Sequence, residues 1–269
     1  MKRFVEGLLA IVCMAACGVA LASGGGNLRM DAAPGSRLDM ESLQRGARNF
    51  VNYCLNCHSA HFMRYERLQD LGLTTQQIED NLMFASDKVG SVMNVAMTTD
   101  QARNWFGNIP PDLSVQARVR GRDWLYNYFL SFYRDESTPT GWNNLVFPSV
   151  AMPHVLWELS GPQRLVRTEF KNHETALAGF VATKGLAELV AATDGKWEVV
   201  NVAQDPGAPG TLTPVQYQAW VADLVNYLDY MAEPSKNKRI SLGIAVLLYL
   251  GVLFAFAYAM KRAFWKDIH

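Results

Sequence analysis

"NYCLNCHSAH", residues 52–61, decides how the rest of the chain is read. Cys54 and Cys57 stand three apart, and His58 follows directly. Cys-x-x-Cys serves zinc binding, thiol–disulfide exchange and covalent attachment of c-type haem, and only the last requires a histidine at that place. A structural zinc site needs four ligands. His58 or His61 offers a third, but no second cysteine pair follows the N-terminal segment. A thiol oxidoreductase wants the pair at a helix start beside a parallel sheet, whereas here a helical pattern leads into it. Haem attachment uses all three residues: two thiols add across the vinyl groups and the imidazole reaches the iron. One motif implies one covalently bound haem c.

The other two cysteines, Cys13 and Cys17, lie in "MKRFVEGLLAIVCMAACGVALAS". Lys2 and Arg3 form a basic start, residues 8–20 an apolar run too short to span a bilayer, and "ALA" at 20–22 a cleavage site, so residues 1–22 read as a signal peptide. A retained anchor is the alternative. Cleavage would leave Cys54 and Cys57 alone, which is no disulfide framework. At the other end, residues 240–260, "ISLGIAVLLYLGVLFAFAYAM", carry no charge. At about 1.5 Å per residue this matches a bilayer core, so a transmembrane helix is expected. Three basic residues on each side tie the positive-inside rule. Export of the N-terminus breaks the tie, with residues 23–235 outside and a tail at 261–269 in the cytoplasm.

The formal net charge of zero hides an asymmetry. Residues 23–235 hold 17 basic and 23 acidic side chains, a net −6, while positive charge gathers beside the span. Nucleic-acid binding is disfavoured, and an acidic face suits a basic soluble partner.

Along residues 23–235 the periodicity is mainly helical. A helix begins near Ser42, with Leu43, Ala47, Phe50, Val51 and Cys54 on one face. Thr74 and Gln77 make a capping box for a second helix. Residues 123–133 form a third, apolar nearly all round and so buried. The clearest follows Thr213, with Pro214 at its first position, Gln216 completing a capping box, and Tyr217, Trp220, Val221, Leu224, Val225 and Leu228 on one stripe. Between 155 and 212 the signal fades. "HVLWEL" and "KWEVVNV" read as short strands, the latter after a turn at Asp194-Gly195, in an insertion of irregular and short-strand character.

A sixth iron ligand remains to be found. Methionine gives an electron carrier of raised potential, and an open site gives sensing or catalysis. Met63 is too near the motif, Met231 ends a helix at the membrane, and Met83 suits core filling. Met152 sits between Pro148 and Pro153, on extended backbone that suits closure over a haem. Met93 and Met97 compete, and His154 and His173 are further candidates.

The blocks "CLNCH", "GLTTQQIEDNLMF", "PPDLS" with "RVRGRDW" behind it, "FPSVAMPHVLWEL" and "VNYLDYMAEP" before a basic segment and one span together resemble cytochrome c1 of Gram-negative bacteria. The resemblance implies a mainly α c-type cytochrome domain with that insertion, followed by one C-terminal transmembrane helix. It implies Met152 as the axial ligand opposite His58, Pro110 and Pro111 against the haem face, and Arg120 approaching a propionate, with Arg118 as competitor. A guanidinium suits that carboxylate because it stays charged and offers a planar fork. Trp124 stands where the family often has tyrosine and offers only its indole N–H.

The chain is then expected to be an electron-transfer subunit of a quinol–cytochrome c reductase, not an enzyme in isolation. Its partners would be a cytochrome b subunit, a Rieske iron–sulfur protein as donor and a soluble cytochrome c as acceptor. It would sit in the inner membrane with its haem domain in the periplasm. A free-standing anchored cytochrome feeding an oxidase, or a haem-based sensor, are the other classes.

Overall fold

A computed structural model describes residues 27–266. The signal read at 1–22 and the last three residues of the tail lie outside the described residues. After a two-residue strand, β1 (Leu28–Arg29), comes α1 (Met40–Tyr53). Asp39 caps it by accepting from the Ser42 amide at 3.0 Å. Leu43, Ala47, Phe50, Val51 and Cys54 are all buried, as their spacing requires. Beyond the cysteine motif, β2 (Ala60–Arg64) and a 3-10 turn (Tyr65–Leu71) lead to α2 (Thr75–Asn81), where the Thr74–Gln77 capping box is formed. β3 (Val92–Met93) pairs antiparallel with β2. α3 (Thr99–Phe106) has a capping box of its own, Thr98 with Gln101.

α4 (Gln116–Arg120) and α5 (Arg122–Leu130) follow. α5 stops short of residue 133 because Phe132 leaves as β4 (Phe132–Arg134), paired with β5 (Trp142–Asn144). The strand expected at "HVLWEL" is replaced by one helical turn, α6 (Trp157–Ser160). Its amides are satisfied locally, Ser160 N on Leu156 O at 3.1 Å and Gly161 N on Trp157 O at 2.8 Å, so the segment needs no neighbouring strand.

The remainder of the expected irregular insertion is ordered. It contains β6 (Gln163–Phe170), α7 (His173–Ala182), β7 (Ala187–Ala191) and β8 (Trp197–Gln204). The strand expected at "KWEVVNV" falls in β8, and the turn before it has Asp194 and Gly195 at φ 74° and 72°. Strand order is β1-β7-β8-β6, with β7 and β8 antiparallel from Glu188 opposite Val200 to Ala191 opposite Trp197. Residues 165–203 and the N-terminal strand make a compact unit around Ala176, Ala187, Leu189 and Val199. Arg29 fastens that unit by donating to the carbonyls of Phe180, Thr183 and Gly185.

The other unit comprises residues 31–164 and 204 onward. Its backbone is α8 (Pro214–Ala232), capped by the Thr213–Gln216 box with Pro214 at its first position. The expected stripe is inward, and residues 221–232 except Asp223 are buried on every side because α1, α4 and α5 all pack against this helix. α1 approaches closest at Gly46, where a Cβ would stand 2.1 Å from the Asp223 carbonyl oxygen. Phe50 meets Tyr227 at 5.6 Å between ring centroids, and Tyr53 meets Trp220 edge-on at 5.1 Å. Burying each such side chain is worth about 1.5–3 kcal/mol, which holds the end of α1, and so the cysteine motif, in place. α9 (Lys236–Phe264) is long, apolar and exposed along its length, which fits a single-pass membrane anchor. Among the described residues helix is the larger share, but with one four-stranded and two two-stranded sheets "mainly α" holds only roughly.

Candidate functional site

The cysteine motif is the last turn of α1 continued as a tight loop. Cys54 N donates to Phe50 O at 2.9 Å, and the amides of Cys57 and His58 both return to Cys54 O, at 3.1 and 2.8 Å. Three consecutive turns therefore aim the two thiols and the imidazole from one short segment. Both thiols are free, Cys54 buried and Cys57 half-buried. Burial, with a smaller contribution from Cys57, pushes the Cys54 thiol up to about 12, and burial raises Cys57 as well. A raised thiol pKa disfavours the thiolate that disulfide exchange requires.

His58 Nδ1 lies 2.7 Å from Pro111 O, so Nδ1 carries the hydrogen and Nε2 keeps its lone pair. Burial lowers the imidazole pKa, against the opposing pull of the Pro111 carbonyl and Asp112. A neutral ring with a free Nε2 is what a metal needs. The Pro110–Pro111 segment is laced to the motif. Leu113 N donates to Ser59 O at 2.9 Å, Phe62 N to Ser114 Oγ at 3.0 Å, and His61 N to Asp112 Oδ2 at 2.8 Å.

Met152 rides on a loop pinned by the two asparagines of β5. Asn144 Oδ1 accepts from the amides of Val146 and Phe147 at 2.9 and 3.0 Å, while Asn143 Oδ1 accepts from Ser149, whose φ of 62° turns the chain. Asn144 Nδ2 donates to Tyr128 O at 2.7 Å, tying the loop to α5. Beyond Met152, His154 is buried, stacked on Phe132 at 4.8 Å and 2.9 Å from Ser160 Oγ. Burial pulls its pKa down to about 3, so it stays neutral and serves the loop's packing.

These pieces line one cleft that opens to solvent. Cys54, Cys57, His58, Pro110, Pro111 and Met152 all line it, with Phe106, Ile109 and Val155 among its apolar walls. Thiols at one edge, an imidazole with an available nitrogen and a thioether in the same apolar space fit a covalently bound haem. The competing methionines are engaged elsewhere: Met63 and Met93 are buried in the core, Met83 packs against it, and Met97 is absent from the cleft wall. His173 belongs to the other unit, against Trp197. Arg120 does not line the cleft. Its guanidinium lies 4.8 Å over the Trp124 ring and 5.6 Å from Phe147. Arg118 does not line the cleft either.

The sequence reading missed Asn143, Asn144, Asp112 and Ser114, which place the loops without touching the cleft chemistry. Polar residues in loops carry no periodicity that would single them out.

A family model described as the cytochrome C1 family matches residues 31–161 and 210–268. The chain belongs to the cytochrome C1 family. The stretch between the two matched segments contains the β6–β8 sheet and α7. Allochromatium vinosum cytochrome c1 is 41% identical over 97% of this chain and 98% of its own length. A Nitrosomonas europaea protein named ammonia monooxygenase gamma subunit is 44% identical over 92% of each chain. Bradyrhizobium diazoefficiens cytochrome b/c1 is 25% identical over 91% of this chain and 36% of its own length. Cytochromes c1 bind one covalent haem c and are the electron-transfer subunit of the bc1 complex, which also contains cytochrome b.

Proposed function

We propose that residues 23–235 lie in the periplasm, take electrons from a Rieske iron–sulfur protein and pass them to a soluble cytochrome c, with the tail at 261–269 in the cytoplasm. The observation that carries this reading is the single apolar cleft shared by Cys54, Cys57, His58 and Met152. Cys54 and Cys57 would each hold the haem through one thioether bond. His58 Nε2 and Met152 Sδ would hold its iron, and the Pro111 carbonyl keeps the imidazole in the tautomer that leaves Nε2 available. When bound, the haem supplies one-electron chemistry between ferrous and ferric iron. Pro110 and Pro111 exclude water from one face. Arg120, held by the Trp124 and Phe147 rings rather than by a carboxylate, keeps its donors available for a propionate.

The chain alone makes and breaks no substrate bond, so it is an electron-transfer subunit and not an enzyme by itself. The Nitrosomonas relative's name belongs to an oxygenase, and oxygen activation needs an open coordination position. A histidine–methionine pair leaves none. The same point separates a carrier from a sensor.

The test is purification of the full chain in mild detergent. Cytochrome b copurifies, added quinol reduces the haem only when the iron–sulfur protein is present, and carbon monoxide leaves the reduced spectrum unchanged. Carbon monoxide binding, or reduction without the iron–sulfur protein, would overturn the reading.

A further inference from the structure

Tyr128 Oη donates a hydrogen bond to Met152 Sδ at 3.4 Å. Thioether sulfur is a weak acceptor, and a buried hydroxyl ordinarily finds a carbonyl or a water. The position of this hydroxyl is set by its surroundings. Tyr128 is buried on α5, with the Trp124 ring stacked on it at 5.0 Å and 11° and Phe132 edge-on at 5.0 Å. The backbone of the same residue is tied to the loop through Asn144 Nδ2. α5 therefore grips the Met152 loop at two points, a hydrogen bond from the Asn144 amide at its root and a hydroxyl on the sulfur.

We infer that Tyr128 is a positioning residue for the redox centre, holding the Met152 sulfur toward the cleft and withdrawing electron density from it. The inference rests on Met152 as axial ligand. A thioether sulfur has two lone pairs, so one can accept from Tyr128 while the other faces iron. The hydroxyl dipole presents its positive end to the sulfur, which disfavours ferric iron relative to ferrous and raises the potential. It also opposes rotation of the thioether out of the cleft, so an exogenous ligand must break this bond to replace methionine. A purely packing role would need the ring and not the oxygen.

Tyr128→Phe in the full haem-loaded chain separates the two, since phenylalanine keeps the stack on Trp124 and removes only the donor. The methionine–ferric iron charge-transfer band at the red end of the spectrum should persist. The ferrous-to-ferric ratio at the wild-type midpoint should fall about threefold to tenfold, ~30–60 mV lower at 59 mV per tenfold for one electron. The imidazole concentration that displaces methionine should fall by a similar factor. Phe132→Leu, which loosens the same aromatic cluster and spares the hydroxyl, should lower the melting temperature and leave the potential in place. If Tyr128→Phe does not load haem, a ring-fluorinated tyrosine at position 128 carries the test: its stronger donor should raise the potential.

A band retained in Tyr128→Phe with unchanged potential and unchanged imidazole displacement overturns the inference and spares the Met152 assignment. So does a fluorinated protein whose potential does not rise. Absence of the band from the unmodified protein sinks the Met152 assignment, and this inference with it.

Discussion

Replacing Gly46 by alanine sets two known effects against each other. In an ordinary helix interior, alanine is favoured over glycine by about 0.8–1.0 kcal/mol. At Gly46 the new Cβ would lie 2.1 Å from the Asp223 carbonyl oxygen and 2.6 Å from Tyr227 Cβ, where ordinary contact begins near 3.4 Å. Neither obstacle is a flexible side-chain tip, so α1 and α8 must separate by about an ångström or more. Overpacking of this kind costs about 1–3 kcal/mol, and a clash with backbone belongs at the upper end. The net effect is a destabilisation of about 2 kcal/mol. At about 2–4 °C per kcal/mol for a domain of this size, the melting temperature falls by about 4–8 °C. Melting of the detergent-solubilised protein, followed by circular dichroism of the haem band, measures it. Because α1 runs directly into Cys54, haem content should fall as well. A variant that melts at or above the parent temperature with full haem would show that α1 and α8 are not in contact at Gly46, and the placement of the motif would lose its support.

Cys54→Ser and Cys57→Ser should each leave haem held by one thioether or lost in maturation, read from the mass of the denatured chain; doubly linked haem in both would refute the attachment chemistry. The net −6 of residues 23–235 should make electron transfer to a basic soluble acceptor slow as ionic strength rises, because charges are screened over about 10 Å at 0.1 M salt. A rate flat or rising with salt would instead favour apolar docking across Phe106, Ile109 and Val155 at the cleft.

How much could be read from residues alone depended on whether the signal was local. The Thr74–Gln77 and Thr213–Gln216 boxes and the α8 stripe are contained within a few turns, and the helices form where they indicate. The Thr98–Gln101 box is equally local, but α3 buries only Ala102, so no apolar stripe follows it to mark a helix. The sheet of β6, β7 and β8 was hidden for a different reason. β6 is half exposed without clean alternation, and its order depends on partners far along the chain. "HVLWEL" shows the converse error, apolar residues that look like a strand but close on their own amides as one turn. At the cleft, Cys54, Cys57 and His58 announce themselves by spacing. The flanking prolines single out Met152 as a candidate, and it lines the cleft, whereas Tyr128 reads as one more aromatic on a buried helix. Only the fold brings its hydroxyl to a sulfur twenty-four residues away.

The most direct test of the account is a redox titration of Met152→Lys beside Met97→Lys. A thioether favours ferrous iron, and an amine of similar reach favours ferric. Met152→Lys should keep haem on Cys54 and Cys57 while the potential falls by about a few hundred millivolts, a fraction of the ~0.8 V that axial ligands span. Met97→Lys should leave the potential where it was. An unchanged potential in Met152→Lys, or a collapse confined to Met97→Lys, would contradict the assignment on which the electron-transfer reading stands.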